Sequence, residues 1–219
     1  MKKILIFSIL LSLSFSGLAQ SPKREFRATW LTTVWRNDWP KSTVITSTGN
    51  TGEIQMQKNE MIGILDSLKR MNANSVCFQV RSRCDAMYRS SYEPWSSDLV
   101  GTRGMDPGYD PLAFVVQEGH KRGIEVHTWI NPYRFESVTN QWSGLPGDYR
   151  STHPDWLLTY PATNNSILNP GHPEVLLQIK KIVAEIVKNY DIDGVIFDDY
   201  FYVSGTTDDL AVGRQDDLR

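Results

Sequence analysis

The sequence predicts an α/β protein of the (β/α)8 TIM-barrel type, with about the first four βα units present. Three observations carry this expectation. Apolar, β-branched strand signals alternate with amphipathic helical stretches from residue 26 to residue 202, an order that lays down a parallel sheet through right-handed crossovers. Polar residues gather where the strand signals end, at Asn37 and Asp38, Gln79 and Arg81, Asn131 and Arg134, and Asp198 and Asp199; a barrel builds its site at that face. No glycine-rich turn follows the first strand, so the phosphate cradle of a doubly wound nucleotide-binding fold is missing. A complete barrel takes about 250 residues. The 219 residues, with four strand signals, therefore read as the first half of one, a fragment or a truncated chain.

The elements follow in order. Residues 1–19 read as a secretory signal peptide: Met1-Lys2-Lys3 is basic, Ile4 to Phe15 is apolar apart from serines, and Gly17-Leu18-Ala19 supplies small residues for cleavage. The apolar run is shorter than the roughly 20 residues of a spanning helix and none like it recurs, so no membrane span is expected. Residues 20–219 form the mature part, exported to the periplasm or outside the cell. Residues 26–34 (FRATWLTTV) read as the first strand. Ile54, Met61, Ile62, Leu65 and Leu68 recur at helical spacing over 54–71. SVCFQVR (75–81) is the second strand. Asp110 fits an N-cap, with Pro111 at the first helical position and Gly123 closing a helix that ends near Arg122. IEVHTWINPYR (124–134) is the third strand and its exit. A long loop carrying HPDW (153–156) and NPGHPE (169–174) leads to a helix over 173–190, whose Val175, Ile179, Ile182, Val183, Ile186 and Val187 form one apolar stripe. DIDGVIFDDYFY (191–202) is the fourth strand, and 203–219 is a polar tail.

Composition narrows the function classes. With 23 Lys+Arg against 25 Asp+Glu the net charge is −2, which gives no basic field for nucleic acid and no polybasic membrane patch. The 40% hydrophobic content is that of a globular domain. Cys77 and Cys84 are expected as two separate thiols, because seven extended residues span about 23 Å, far beyond a disulfide's reach. No cofactor is expected, and no metal. His127 has no histidine at ligand spacing, and Asp106, Gly108 and Asp110 read as a turn plus a helix cap.

Alternation along the strands assigns faces. Val76, Phe78 and Val80 should pack on helices and leave Cys77, Gln79 and Arg81 pointing inward. Likewise Val126, Thr128 and Ile130 face out, and His127, Trp129 and Asn131 face in. In the fourth strand Val195 and Phe197 suit the helix layer, which leaves Asp198 at the barrel mouth. Buried inward polar groups call for a ligand or a satisfied hydrogen-bond network.

The segments RATWLTTVWRNDWP (27–40), FQVRSRCDAMYRSSYEPWSSDLVG (78–101), PGYDPLAF (107–114), HKRGIEVHTWINPYR (120–134) and DGVIFDDYFY (193–202) resemble the glycosyl hydrolase-like 10 family, in order and across nearly the whole mature chain. The resemblance implies an exported bacterial barrel related to glycoside hydrolases and acting on a glycan, with peptidoglycan-derived chains among the substrates it suggests. It also implies a barrel that continues past Arg219. More distantly, Asp193-Gly194 through Asp198 resembles the fourth-strand segment of the alpha-amylase superfamily, whose last Asp is the nucleophile; Ile196 stands where that superfamily carries Arg.

Glycoside hydrolysis needs two carboxyl groups, about 5–5.5 Å apart for retention and roughly 6.5–9.5 Å apart for inversion. Asp198 is the candidate nucleophile or base and Asp199 an orienting or electrostatic partner. As sequence neighbours on opposite faces they are not the catalytic pair, so the second carboxyl is expected from a later strand. Glu93 and Glu136 are loop carboxylates with no partner in the pattern. Trp30, Asn37, Asp38, Gln79, Arg81, His127, Trp129, Asn131, Arg134 and Tyr200 are the candidate substrate contacts, with the indoles and Tyr200 offering stacking faces. Trp39, Trp95 and Trp156 also lie near strand exits, where packing is the default role of any single aromatic. The competing class is an exported glycan-binding protein without catalysis. A metal-dependent hydrolase is the third class. The isolated chain is expected to expose two sheet edges and to lack enzymatic competence on its own.

Overall fold

The computed structural model describes residues 25–160, 164–198 and 201. The signal-peptide segment, Asp199, Tyr200 and the 203–219 tail lie outside the described residues. In chain order the elements are β1 (Ala28–Leu31), a 3-10 turn (Val34–Arg36), α1 (Thr51–Arg70), β2 (Ser75–Arg81), α2 (Pro111–His120), β3 (Glu125–Ile130), β4 (Arg134–Glu136), α3 (Tyr149–Thr152), a second 3-10 turn (Pro154–Trp156), β5 (Leu157–Tyr160), β6 (Asn165–Leu168), α4 (Pro173–Asn189) and β7 (Gly194–Phe197). The main sheet runs β1-β2-β3-β7 with every pairing parallel. Among the described residues β1 and β7 have one sheet neighbour each, and the sheet does not close on itself.

The predicted faces hold for β2 and β3; in β7 Val195 packs against the core, but Phe197, expected in the helix layer, is 43% exposed. Val76, Phe78, Val80, Val126 and Ile130 are fully buried in the core with Met61 and Leu65 of α1, Leu112 and Val115 of α2, and Ile182 and Ile186 of α4. Each such side chain contributes roughly 1.5–3 kcal/mol of burial, so this outer layer holds the helices against the sheet. The one cap expected is found: Asp110 accepts from the Ala113 backbone N–H at 3.0 Å, with Pro111 in the first turn of α2. Asn50 caps α1 through the Glu53 N–H. At the start of α4 the cap is His172, which accepts from the Glu174 N–H, with Pro173 following.

Several expectations change. The first strand stops at Leu31 instead of running to residue 34, because the Thr33 and Val34 backbone N–H groups donate to the Gln79 side chain rather than to a ladder. The α4 stripe excludes Val187, which is 57% exposed; the helix has turned it past the core-facing side. The long loop after β3 contains a second sheet, the antiparallel β4-β6-β5. Its strands are only 3 or 4 residues long, too short to print a period-2 pattern. Cys84, Phe135, Trp142, Tyr149, Trp156, Leu168 and Val175 form the core beneath it. Cys77 and Cys84 are both free and buried, as expected.

Candidate active site

Register places the inward-facing side chains in rows. Trp30, Cys77, His127 and Gly194 share one row, since Trp30 pairs with Cys77, Cys77 with His127, and His127 with Gly194. Gln79, Trp129 and Ile196 form the next row toward the carboxyl ends. Asn131 and Asp198 lie beyond it.

At the carboxyl ends a chain of hydrogen bonds crosses all four strands. The Gln79 Oε1 accepts from the Thr33 N–H at 2.8 Å and the Val34 N–H at 2.9 Å. Its Nε2 donates to Asn131 Oδ1 at 2.6 Å. Asn131 Nδ2 in turn donates to the Asp198 backbone carbonyl at 2.8 Å, and Trp129 Nε1 donates to the same oxygen at 3.0 Å. Because Gln79 must accept with its oxygen and donate with its nitrogen, only one amide orientation satisfies both ends. The exit of β7, with exposed Asp198, is thereby tied to β1, β2 and β3.

A second network lies beside it, in the segment after β2. Arg81 and Glu93 pair with both side chains wholly buried, through Nε at 3.0 Å and Nη2 at 2.7 Å. Arg81 Nη1 donates to the Asn131 and Pro132 carbonyls at 2.6 and 3.0 Å, and Nη2 reaches Cys84 Sγ at 3.2 Å. Burial pushes the Cys84 thiol up to about 12. Asp85 accepts from Ser82, Arg83 and Ser96 and faces Arg103. Burial works against its charge, but the Arg103 and Arg83 guanidinium groups prevail and hold its carboxyl below the usual range. Glu136 binds Arg150, which also donates to Ser166 Oγ at 2.7 Å. Among the described residues no group of three or more His, Cys, Asp or Glu side chains is arranged to hold a metal ion.

The predicted residues thus separate. Trp129, Asn131 and Asp198 come together at the exits of β3 and β7. Trp30 is 46% exposed at the β1 edge and meets Trp129 edge-on at 4.9 Å. Asn37 and Asp38 are exposed beyond the end of β1, where Asp38 Oδ2 accepts from the Thr32 N–H at 2.8 Å. Gln79 shares the row of Trp129 as read, but a register irregularity follows it and pairs Arg81 with Ile130; both are fully buried, with polar atoms on protein partners. Both are therefore enclosed by the fold, as is Asn131, instead of being presented at its surface. His127 is not part of the strand-end cluster. It lies four residues, about 13 Å, below Asn131 along β3, bonded to Glu125 at 3.1 Å and edge-on to Phe26. Gly194 sits directly opposite, and a Cβ there would fall 2.3 Å from His127 Nδ1. Arg134 is buried in β4 beneath the Trp35 ring. Asp199 and Tyr200 lie outside the described residues. Trp39 and Trp156 are core residues and Trp95 packs against the core.

Sequence reasoning missed the partners Glu93, Asp85 and Asp98. Their only signal was their place inside the 78–101 segment, where acidic and basic residues are interleaved.

Comparison with known proteins gives a consistent assignment. The family model described as Glycosyl hydrolase-like 10 matches residues 25–212. The chain is similar to Glycosyl hydrolase YngK of Bacillus subtilis (strain 168), 42% identical over 200 residues, covering 91% of this chain and 37% of that protein. It is similar to Glycosyl hydrolase DigH of Escherichia coli (strain K12), 40% identical over 192 residues, covering 84% of this chain and 43% of that protein. The chain therefore spans about two fifths of the length of these curated relatives. Among solved structures, α-L-fucosidase isoenzyme 2 from Paenibacillus thiaminolyticus superimposes with a TM-score of 0.49 at 17% identity, over 80% of this chain and 23% of that one. The α-galactosidase from Lactobacillus brevis gives 0.46 at 16% identity, over 80% and 23%. With a model match across most of its length and two relatives at 40% identity or above, this chain belongs to the glycosyl hydrolase-like 10 family.

Proposed function

We propose that the chain forms the amino-terminal βα units of an exported (β/α)8 glycoside hydrolase that cleaves a glycan at the carboxyl face of its sheet. Peptidoglycan glycan strands are the substrate class we favour. The observation that carries this reading is the hydrogen-bond chain Gln79–Asn131–Asp198, which braces a carboxylate-bearing strand end against the other three strands. A barrel places its chemistry there. The family membership and the printed names of the two relatives support the reaction class.

In this reading Asp198 is the nucleophile or general base, with Asp199 beside it as an electrostatic partner. Asp85, Glu93, Asp98 and Glu136 are each paired with buried or half-buried arginines, and in this reading the second carboxyl comes from a later strand. Trp129 and Asn131 hold the Asp198 backbone, which fixes where its side chain departs. Pre-set placement of this kind is what hydrolysis across a fixed carboxyl separation requires.

The test is reducing-end release from purified peptidoglycan glycan strands by the protein that carries the later strands as well as these residues. Asp198→Asn should lower release by about 10²–10⁴-fold, the worth of one acid–base or nucleophilic group. Unchanged release removes Asp198 from the chemistry. Wild-type binding with no release at all favours the non-catalytic glycan-binding class.

A further inference from the structure

The turn after β1 presents an indole to solvent at a cost in backbone conformation. Trp35 and Arg36 are consecutive non-glycine residues at φ 54° and 58°, in the left-handed region that L side chains rarely adopt. Such conformations persist only where the surroundings over-determine them, and here they do. The Thr33 and Val34 N–H groups on one side are taken by Gln79. On the other side the Asp38 and Trp39 N–H groups return to the Thr32 carbonyl, and the Trp39 indole is fully buried and donates to the Gln57 carbonyl at 3.0 Å. The Asp98 carboxylate, paired with Arg83, faces the Trp35 backbone.

What this bolted turn displays is Trp35, 55% exposed. The Arg83 and Arg134 guanidinium groups lie over its ring at 5.7 and 5.5 Å. They are only 3% and 7% exposed, so the ring rests on buried guanidinium groups while more than half of the Trp35 surface stays in solvent. The platform stands at the rim of the strand-end site. Val34 shares the Gln79 acceptor that leads through Asn131 to Asp198, and Arg134 follows Asn131 by three residues. Arg36 and Asn37, on the same turn, are exposed and carry planar hydrogen-bonding groups.

We propose that Trp35 is a sugar-binding platform that stacks the apolar C–H face of one pyranose ring of a glycan entering the strand-end site, with Arg36 and Asn37 meeting that ring's hydroxyl or amide groups. An exposed aromatic face held rigidly beside planar polar groups suits a ring with one apolar face and polar edges. The inference rests on the glycan reading above and adds to it a subsite that does not touch the reacting atoms.

The experiment uses the 219-residue chain with 5-fluorotryptophan incorporated and peptidoglycan glycan strands as probe. The seven indoles give separate fluorine signals, and Trp35→Phe identifies the one from Trp35. Titration should shift that signal. Trp35→Ala should weaken binding about tenfold, and Trp35→Tyr should restore most of the affinity, because the stacking face returns. The fluorine readout on the wild type does not depend on whether the alanine variant folds. Binding by the wild type with the Trp35 signal unmoved, or with affinity unchanged in Trp35→Ala, overturns the platform and leaves the glycan reading intact. No binding by the wild type overturns both.

Discussion

Replacing Glu93 by alanine strands the Arg81 guanidinium in a site with no access to water. Both side chains are fully buried, and Arg81 gives Glu93 Oε1 two charge-assisted hydrogen bonds at 3.0 and 2.7 Å. The Arg81 donors that remain are on the Asn131 and Pro132 carbonyls and on Cys84 Sγ, all neutral acceptors. Removing one member of a buried pair while the other stays charged costs about 3–5 kcal/mol. On a chain of this size that lowers Tm by roughly 6–20 °C. Glu93→Gln keeps an acceptor oxygen but loses the charge, and should fall between wild type and Glu93→Ala. The double variant Arg81→Met with Glu93→Leu should recover much of the loss, because replacing a whole buried pair by apolar groups avoids the desolvation cost. Urea unfolding of the four proteins, followed by tryptophan fluorescence, measures each step. A loss below about 1 kcal/mol in Glu93→Ala would refute the reasoning; it would mean that Arg81 reaches water and is free to act as the substrate contact that its inward position first implied.

Two further outcomes are expected. Because burial holds the Cys84 thiol near a pKa of about 12 and also raises that of Cys77, both remain neutral thiols at pH 8. Iodoacetamide should label neither in the folded protein and both in urea; rapid native labelling by mass spectrometry would contradict the burial. For export, the secreted protein should begin at or near Gln20, and an intact Met1 on protein recovered from the cytosol would end that proposal.

The parallel α/β class, the three long helices and the Asp110 cap were legible in the sequence because each depends on neighbours within a turn or two. Asp110-Pro111, His172-Pro173 and the Ile54–Leu68 stripe act locally, and local chemistry leaves a local pattern. Facing was legible for the same reason: period-2 alternation in SVCFQVR and EVHTWI put Gln79, Trp129 and Asn131 on the inner side of the sheet. The family resemblance was equally visible, since it is carried by contiguous segments.

Partnership was decided by the tertiary structure alone. Gln79 meets Thr33 at a separation of 46 residues and Asn131 at 52, and Arg81 meets Glu93 across a loop. No periodicity records which of many polar side chains a buried donor will find. The same limit hid the β4-β6-β5 sheet, whose short strands are stabilised by the Phe135–Trp142–Tyr149 cluster rather than by their own pattern. It also hid Trp35. In the sequence Trp35 is one of seven tryptophans, and only the left-handed turn and the two arginines beneath it turn its face outward. Sequence therefore determined which side of the sheet residues such as Gln79 and Trp129 face; long-range contact decided which polar groups are bonded inside the protein and which are left for a ligand, because a buried polar group is satisfied by whatever the fold brings within about 3 Å.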